Sequence, residues 1–199
     1  MSKPKIAVII GSTRDTRFAD KPAQWILDLA KQRDDIDVEL VDLKDFDLPL
    51  FNEAASNAWV PSQDQRAVAW QQKIAGYDGY IITIAEYNRS ITGALKNAFD
   101  QAYVDWNKKP VGFVAYGSVG GARAVEHARN IAVELQMVPV RSAVHIGGSE
   151  FVAVAFQGKT IKDIEPAILP SAKDMLDQLT WWAYATKNAR EESVAEAAE

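Results

Sequence analysis

Three short stretches combine small residues with hydrogen-bond donors, a pattern suited to holding an anionic, flat ligand. The first is Gly11-Ser12-Thr13-Arg14, followed by Arg17, at the junction of an apolar run and a helical pattern. Backbone N–H groups, two hydroxyls and two guanidinium groups can converge there on a phosphate. It lacks the Gly-Lys-Ser/Thr ending of a triphosphate-binding loop and is not Gly-x-Gly-x-x-Gly, so neither a nucleotide triphosphatase nor a dinucleotide-binding crossover is favoured. A plain strand-to-helix turn competes with the phosphate reading. The second stretch, Glu86-Tyr87-Asn88-Arg89-Ser90 followed by Gly93-Ala94-Leu95-Lys96-Asn97, offers an aromatic and several polar groups on which a flat ring could rest; a capped helix start, with Ser90 or Thr92 as cap, explains it equally well. In the third, Tyr116-Gly117-Ser118-Val119-Gly120-Gly121, glycines permit close backbone approach to a ligand or simply a tight turn.

The remaining composition narrows the chemistry. The chain of 199 residues has no cysteine, which removes thiol nucleophiles, disulfides, iron–sulfur clusters and thiolate zinc sites. Its two histidines, His127 and His145, lie outside any metal-ligand spacing, so no metal site is expected. Redox chemistry would therefore need a bound organic cofactor. The net charge is −5, but Glu191–Glu199 holds four glutamates and no cation, leaving residues 1–190 at −1. A near-neutral body argues against a nucleic-acid partner and against a strongly acidic electron carrier. No apolar run approaches bilayer length and the N-terminus does not read as a signal peptide, so no membrane insertion and a cytoplasmic location are expected.

These loops need a frame. Lys5–Ile10, Val38–Leu43, Tyr80–Ile84, Val111–Tyr116 and Val138–Ile146 read as apolar strands. They alternate with helical patterns near Pro22–Ala30, Gln63–Ala75, Gly93–Tyr103, Ala122–Leu135 and Ser171–Lys187, with an irregular excursion between Asp47 and Ser62. Strands separated by helices predict a parallel sheet covered on both faces. In such sheets ligands bind beyond the carboxyl ends of the strands, where strand order reverses. Residues 1–187 are expected to form one domain, and 188–199 an acidic, disordered tail.

Taken together, Gly11-Ser12-Thr13-Arg14-x-x-Arg17, Glu86-Tyr87-Asn88-x-Ser90-x-x-Gly93-x-Leu95-Lys96-Asn97-x-x-Asp100 and Gly117-Ser118-x-Gly120-Gly121-x-Arg123 resemble the NADPH-dependent FMN reductase family over about residues 4–150. The resemblance implies a flavodoxin-like α/β/α sandwich with a five-stranded parallel sheet of order 2-1-3-4-5. It also implies FMN at the switch point, NADPH or NADH as co-substrate, and a homodimer or homotetramer. Ser12, Arg14 and Arg17 would hold the FMN phosphate, with Thr13 in the same loop, and Phe18 would pack on the flavin or partly cover the site. Glu86, Tyr87, Asn88, Arg89 and Ser90 would line the ring and ribityl chain, and Gly117, Ser118, Gly120 and Gly121 the pyrimidine end. The family commonly has Pro where Ala85 stands, which predicts a looser second loop, and Phe18 is bulkier than its usual counterpart.

The implied chemistry is hydride transfer through the flavin, with no catalytic side chain required. Quinones, free flavin, azo dyes or oxidised metal ions would accept the electrons by a ping-pong mechanism. Arg89 or Arg123 could take the 2′-phosphate of NADPH. Trp59, Trp70, Trp106, Trp181 and Trp182 read as packing residues first, although Tyr103 and Trp106 could reach a partner's flavin site. A non-enzymatic electron carrier and a flavin-free regulatory protein of the same fold are the alternatives.

Overall fold

Parallel strands buried on both faces must alternate apolar side chains between two layers. The first strand shows it directly: Ile6, Val8 and Ile10 point into one apolar cluster, and Ala7 and Ile9 into the other. In the computed structural model, which describes residues 2–196 and side chains through Ser193, the strands are β1 (Lys5–Ile10), β2 (Asp37–Asp42), β3 (Gly79–Ala85), β4 (Pro110–Tyr116) and β5 (Val138–Ile146). The helices are α1 (Asp20–Ala30), α2 (Gln65–Ala75), α3 (Gly93–Asp100), α4 (Ala122–Glu134), α5 (Gly148–Phe156) and α6 (Ile161–Glu196). All strand pairs are parallel, in the order β2-β1-β3-β4-β5. β1 pairs with β2 on one side and β3 on the other, so the chain reverses its direction of travel there and opens a crevice at the carboxyl ends of β1 and β3. The expected sandwich and strand order are those observed.

One layer of α1 and α6 covers the first cluster; α2, α3 and α4 cover the second. Trp106 is the centre of the second layer. It is fully buried and meets Trp70, Tyr80 and Phe99 edge-on at centroid distances of 5.8, 4.8 and 5.3 Å. This corrects the expectation that Trp106 reaches a partner's flavin site: its ring fills the space between α2, α3 and the sheet. Tyr103 packs half-buried against the same layer, and its hydroxyl, at the surface, donates to the Glu134 carbonyl at 3.2 Å.

Two helical features differ from expectation. Residues 148–156, to which the sequence pattern assigns no element, form α5, with Gly147 at its N-terminus. α6 begins ten residues earlier than expected and runs through Pro166 and Pro170. Prolines normally end helices by removing an N–H and crowding the preceding turn. Here both are exposed and four residues apart on the solvent side, where water takes the freed carbonyls. The helix also continues past residue 187, correcting the disordered tail over 188–196; residues 197–199 lie outside the described part. Lys187 and Arg190 both bond the Asp78 carboxylate, at 3.0 and 2.7 Å, and so fasten α6 to the start of β3.

Beside that fastening lies a buried lysine. Lys109 Nζ donates to the carbonyls of Ile74, Ala75 and Asp105 and to the Tyr80 hydroxyl, at 2.8–3.2 Å. It therefore caps the C-terminal, electronegative end of α2. Burial, aided by the nearby Arg190 charge, lowers Lys109 to about 8 from the ordinary 10.5. Between those values the unfolded chain holds the proton more tightly than the folded one, so this group makes stability rise with pH across that window. Urea unfolding at pH 8 and pH 10 is expected to show that rise in the wild type relative to Lys109→Met; parallel pH profiles for the two proteins would refute it.

Candidate active site

Loop 1, residues 11–19, leaves β1 at Gly11, where a Cβ would stand 2.4 Å from the Thr83 carbonyl. Glycine is required because β3 passes so close. Thr92 Oγ1 donates to the Gly11 carbonyl at 2.7 Å, and Gly11 N–H to Thr83 Oγ1 at 3.3 Å. Beyond this point the backbone N–H groups of Ser12, Thr13, Arg14, Asp15 and Thr16 have no acceptor among the described residues. Ser12 is only 2% exposed. A loop of unpaired N–H groups beside a guanidinium is a ready anion cradle.

The two arginines of loop 1 do different work. Arg17 sits behind the loop, bonding Asp42 through both terminal nitrogens, Asp20 through Nε at 2.8 Å and the Ser12 carbonyl at 2.9 Å. Burial raises Asp42, but the Arg17 hydrogen bonds and charge more than offset this and hold it below its ordinary value. Arg17 thus fixes the loop's shape, its charge matched by carboxylates, while also lining the cleft. Arg14 points to the cleft mouth, donating to the Tyr87 hydroxyl and lying 5.7 Å from that ring's centre.

Loop 2, residues 86–92, is a tight antiparallel turn. Tyr87 and Ser90 exchange N–H···O bonds of 2.9 Å, with Asn88 and Arg89 between them at φ of 50° and 68°. Positive φ at both central residues defines a type I′ turn. Glu86 anchors it. Its Oε1 accepts from Arg123 Nε at 2.6 Å and from the neighbouring guanidinium nitrogen; its Oε2 accepts from the Arg123 and Ala124 N–H groups at 3.1 and 3.4 Å. α4 has no side-chain cap of its own, since Gly121 precedes it, so Glu86 caps it from a distant loop. Loop 2, which follows Ala85, is held to α4 by these bonds.

Loop 3, residues 117–121, folds back on the sheet. Gly120 and Gly121 both have φ of 68°, and Cβ atoms there would meet His145 Cβ at 3.0 Å and Ala115 Cβ at 2.7 Å. Their small size serves the turn against β4 and β5. Ser118 and Val119 keep unpaired N–H groups among the described residues.

The three loops and α5 enclose a cleft of about 670 Å³ lined by Ser12, Arg14, Arg17, Phe18, Glu86, Tyr87, Gly117 and Ser118 among the expected residues. Thr13 faces a separate cavity of about 290 Å³ beside Leu43 and Asn97. Asn88, Arg89, Ser90, Gly120 and Gly121 line neither; Ser90 Oγ meets His127 Nδ1 at 3.1 Å. Sequence reasoning missed Thr16, Lys21, Tyr116, Phe151, Ala155 and Phe156 in the cleft wall. Tyr116 was legible as the last residue of β4; the phenylalanines required α5. Burial pushes the Tyr116 phenol far above its ordinary value, so it serves as a neutral wall with a hydroxyl at the mouth of the sheet.

A cleft this size, with unpaired N–H groups and Arg14 on one side and aromatic rings on another, matches the two ends of a flavin mononucleotide. The family model described as NADPH-dependent FMN reductase matches residues 4–150. The chain belongs to the NADPH-dependent FMN reductase family. An NAD(P)H-dependent FMN reductase of Nectria sp is 36% identical over 146 residues, covering 69% of this chain and 73% of that protein. A 2-hydroxy-1,4-benzoquinone reductase of Burkholderia sp is 34% identical over 141 residues, covering 67% and 73%. Among solved structures, the flavoenzyme FerB, an NAD(P)H:(acceptor) oxidoreductase from Paracoccus denitrificans, superposes with a TM-score of 0.70 at 23% identity, covering 92% of this chain and 98% of that one; at that identity the likeness concerns the fold. As a member of this reductase family the chain is an oxidoreductase with FMN as cofactor and NAD(P)H as co-substrate.

Proposed function

We propose that the cleft holds FMN with its phosphate on loop 1 and its ring against loops 2 and 3, and that the protein reduces a quinone, flavin, azo dye or metal-ion acceptor by a ping-pong mechanism. The observation that carries this reading is that loop 1, with its unpaired N–H groups, lends Ser12, Arg14 and Thr16 to the same cleft as the aromatic wall. Bound FMN would supply the chemistry, taking a hydride from NAD(P)H and returning two electrons to the acceptor. With a quinone the balance is NAD(P)H, a proton and quinone giving NAD(P)⁺ and hydroquinone. The chain's own part is positional: loop 1 neutralises phosphate charge, and the Ser118 and Val119 N–H groups are available for negative charge that grows on a reduced ring. Asn88, Ser90, Gly120 and Gly121 would act by shaping loops 2 and 3.

Arg89 carries no ion pair among the described residues, whereas Arg123 is tied to Glu86. Of these two, Arg89 is the better placed to take the 2′-phosphate of NADPH, its charge not already matched by a carboxylate. It also occupies a left-handed conformation that glycine adopts at lower cost, and Asn-Gly is the favoured pair for this turn. Arg89→Gly is expected to raise unfolding stability by about 0.5–1 kcal/mol while narrowing any preference for NADPH over NADH. Chemical denaturation and the two kcat/KM values check both; a loss of stability would refute the turn assignment.

Anaerobic titration of the FMN-loaded protein with NADPH tests the function. The visible flavin band should bleach stoichiometrically and return on adding a quinone, with parallel lines in double-reciprocal initial-rate plots. A flavin that binds but stays oxidised would make the protein a carrier fed by another enzyme. Cytoplasmic location and a homodimer or homotetramer belong to this same proposal, light scattering testing the latter; no helix among the described residues is long and apolar enough to cross a membrane.

A further inference from the structure

Aromatic rings form one continuous face from the end of β4 to solvent. Tyr116, 6% exposed, lies 4.8 Å from Phe18 between centroids; Phe18 meets Phe151 at 5.2 Å and Phe151 meets Phe156 at 6.0 Å, edge-on. Phe156 lines the cleft yet is 76% exposed. Its support is fixed: Val154 is buried at 1% exposure, Lys21 Nζ donates to the Val154 carbonyl at 3.0 Å, and the Gln157 and Lys159 N–H groups both return to the Ala153 carbonyl. α5 thus ends in a closed cap that holds a large apolar ring at the cleft rim with one face uncovered. A solitary exposed apolar residue needs no explanation, but one that extends a ligand cleft's aromatic wall does. Lys21 adds a cation to the same wall, 5.6 Å from the centre of the Phe18 ring.

We infer that Phe156 is the residue on which the electron acceptor stacks, so that the site selects flat, unsaturated rings bearing carbonyl or carboxylate oxygens over compact hydrophilic oxidants. This rests on the FMN-dependent reading above. Phe156 takes no part in the electron or proton count; it contributes ring–ring contact and dry surface, and Lys21 attracts the oxygens.

The experiment compares FMN-loaded wild type, Phe156→Ala and Phe156→Trp. Two quantities are measured: the ratio of kcat/KM for 1,4-naphthoquinone to that for ferricyanide, and the turnover-free Kd of 2-naphthoate for the oxidised protein, read from flavin absorbance. Phe156→Ala is expected to lower the ratio and raise the Kd, each about five- to tenfold, and Phe156→Trp to keep both within about twofold of wild type. Equal losses for both acceptors, an unchanged naphthoate Kd, or a changed oligomeric state with unchanged Kd would overturn the inference, the last making Phe156 a contact between copies. A wild type that fails to load FMN or to be reduced by NADPH would instead refute the underlying reading. In that case naphthoate affinity of the flavin-free proteins, read by tryptophan fluorescence, still decides whether Phe156 binds rings.

Discussion

Glu86→Ala is expected to destabilise the protein by about 2–4 kcal/mol and to abolish stable FMN retention. The carboxylate is almost fully buried, its side chain 5% exposed, and accepts from two N–H groups at the start of α4 as well as from the Arg123 guanidinium. Removing it leaves those N–H groups without an acceptor and the guanidinium without its partner. Because Arg123 is 41% exposed, water recovers part of that loss, which keeps the figure below that of a fully buried pair. The site suffers more than the fold, since this is the bond that holds loop 2 to the start of α4. Urea unfolding and retention of FMN through gel filtration check the two parts, and Glu86→Gln, which keeps one acceptor, should fall between. Retention of FMN by the alanine variant would refute the anchoring role.

The same carboxylate has a pH signature. Burial raises it, but the hydrogen bonds and charge of Arg123 and the Ala124 N–H more than offset that, leaving it below the ordinary 4.5. A lowered folded value means that its stabilisation is present above the unfolded pKa and disappears as pH falls through the folded one. Acid unfolding of Glu86→Gln should accordingly be less steep below pH 4.5 than that of the wild type.

Arg14→Ala is expected to weaken FMN binding by about 1.5–3 kcal/mol, roughly 10- to 150-fold, as a charge-assisted contact to phosphate is lost. Folding should change little, because Arg14 is exposed and its partners within the chain are the Tyr87 hydroxyl and Thr16. Riboflavin, which lacks the phosphate, provides the control: its affinity should be the same in the two proteins. Flavin fluorescence quenching measures both. Equal FMN affinities would refute the phosphate assignment, and equal losses for FMN and riboflavin would mean that Arg14 shapes the cleft through Tyr87. Arg17→Ala should differ in kind. It leaves Asp42 and Asp20 unpaired behind the loop, so stability and FMN affinity should fall together.

The strands and the three loops were legible in the sequence because their signals are local. An apolar run ending in glycine before a helical pattern constrains the backbone whatever surrounds it, and five such runs separated by helices leave a parallel sheet as the solution. Loop 1 was legible as an anion cradle for the same reason. The roles within it were not: Arg14 and Arg17 are the same residue type three apart, and only the folded chain brings Asp42, twenty-five residues beyond Arg17, to bind one and leave the other at the cleft. Glu86 read as a lining residue; its long reach to the start of α4 made it an anchor. Glycines 120 and 121 read as room for a ligand, whereas their missing Cβ atoms make room for β4 and β5.

The sequence by itself determined the parallel sheet, through short-range patterning, and the three loop motifs carried the resemblance to the reductase family, which in turn implied the strand order and the cofactor. Tertiary structure alone decided which arginine is paired with carboxylates, what caps α4, that residues 148–156 form a helix carrying two phenylalanines to the cleft, and that α6 runs through two prolines to be fastened on Asp78. Each of these depends on contacts between segments far apart in the chain, where the energy of burying a ring or pairing a charge outweighs local preference.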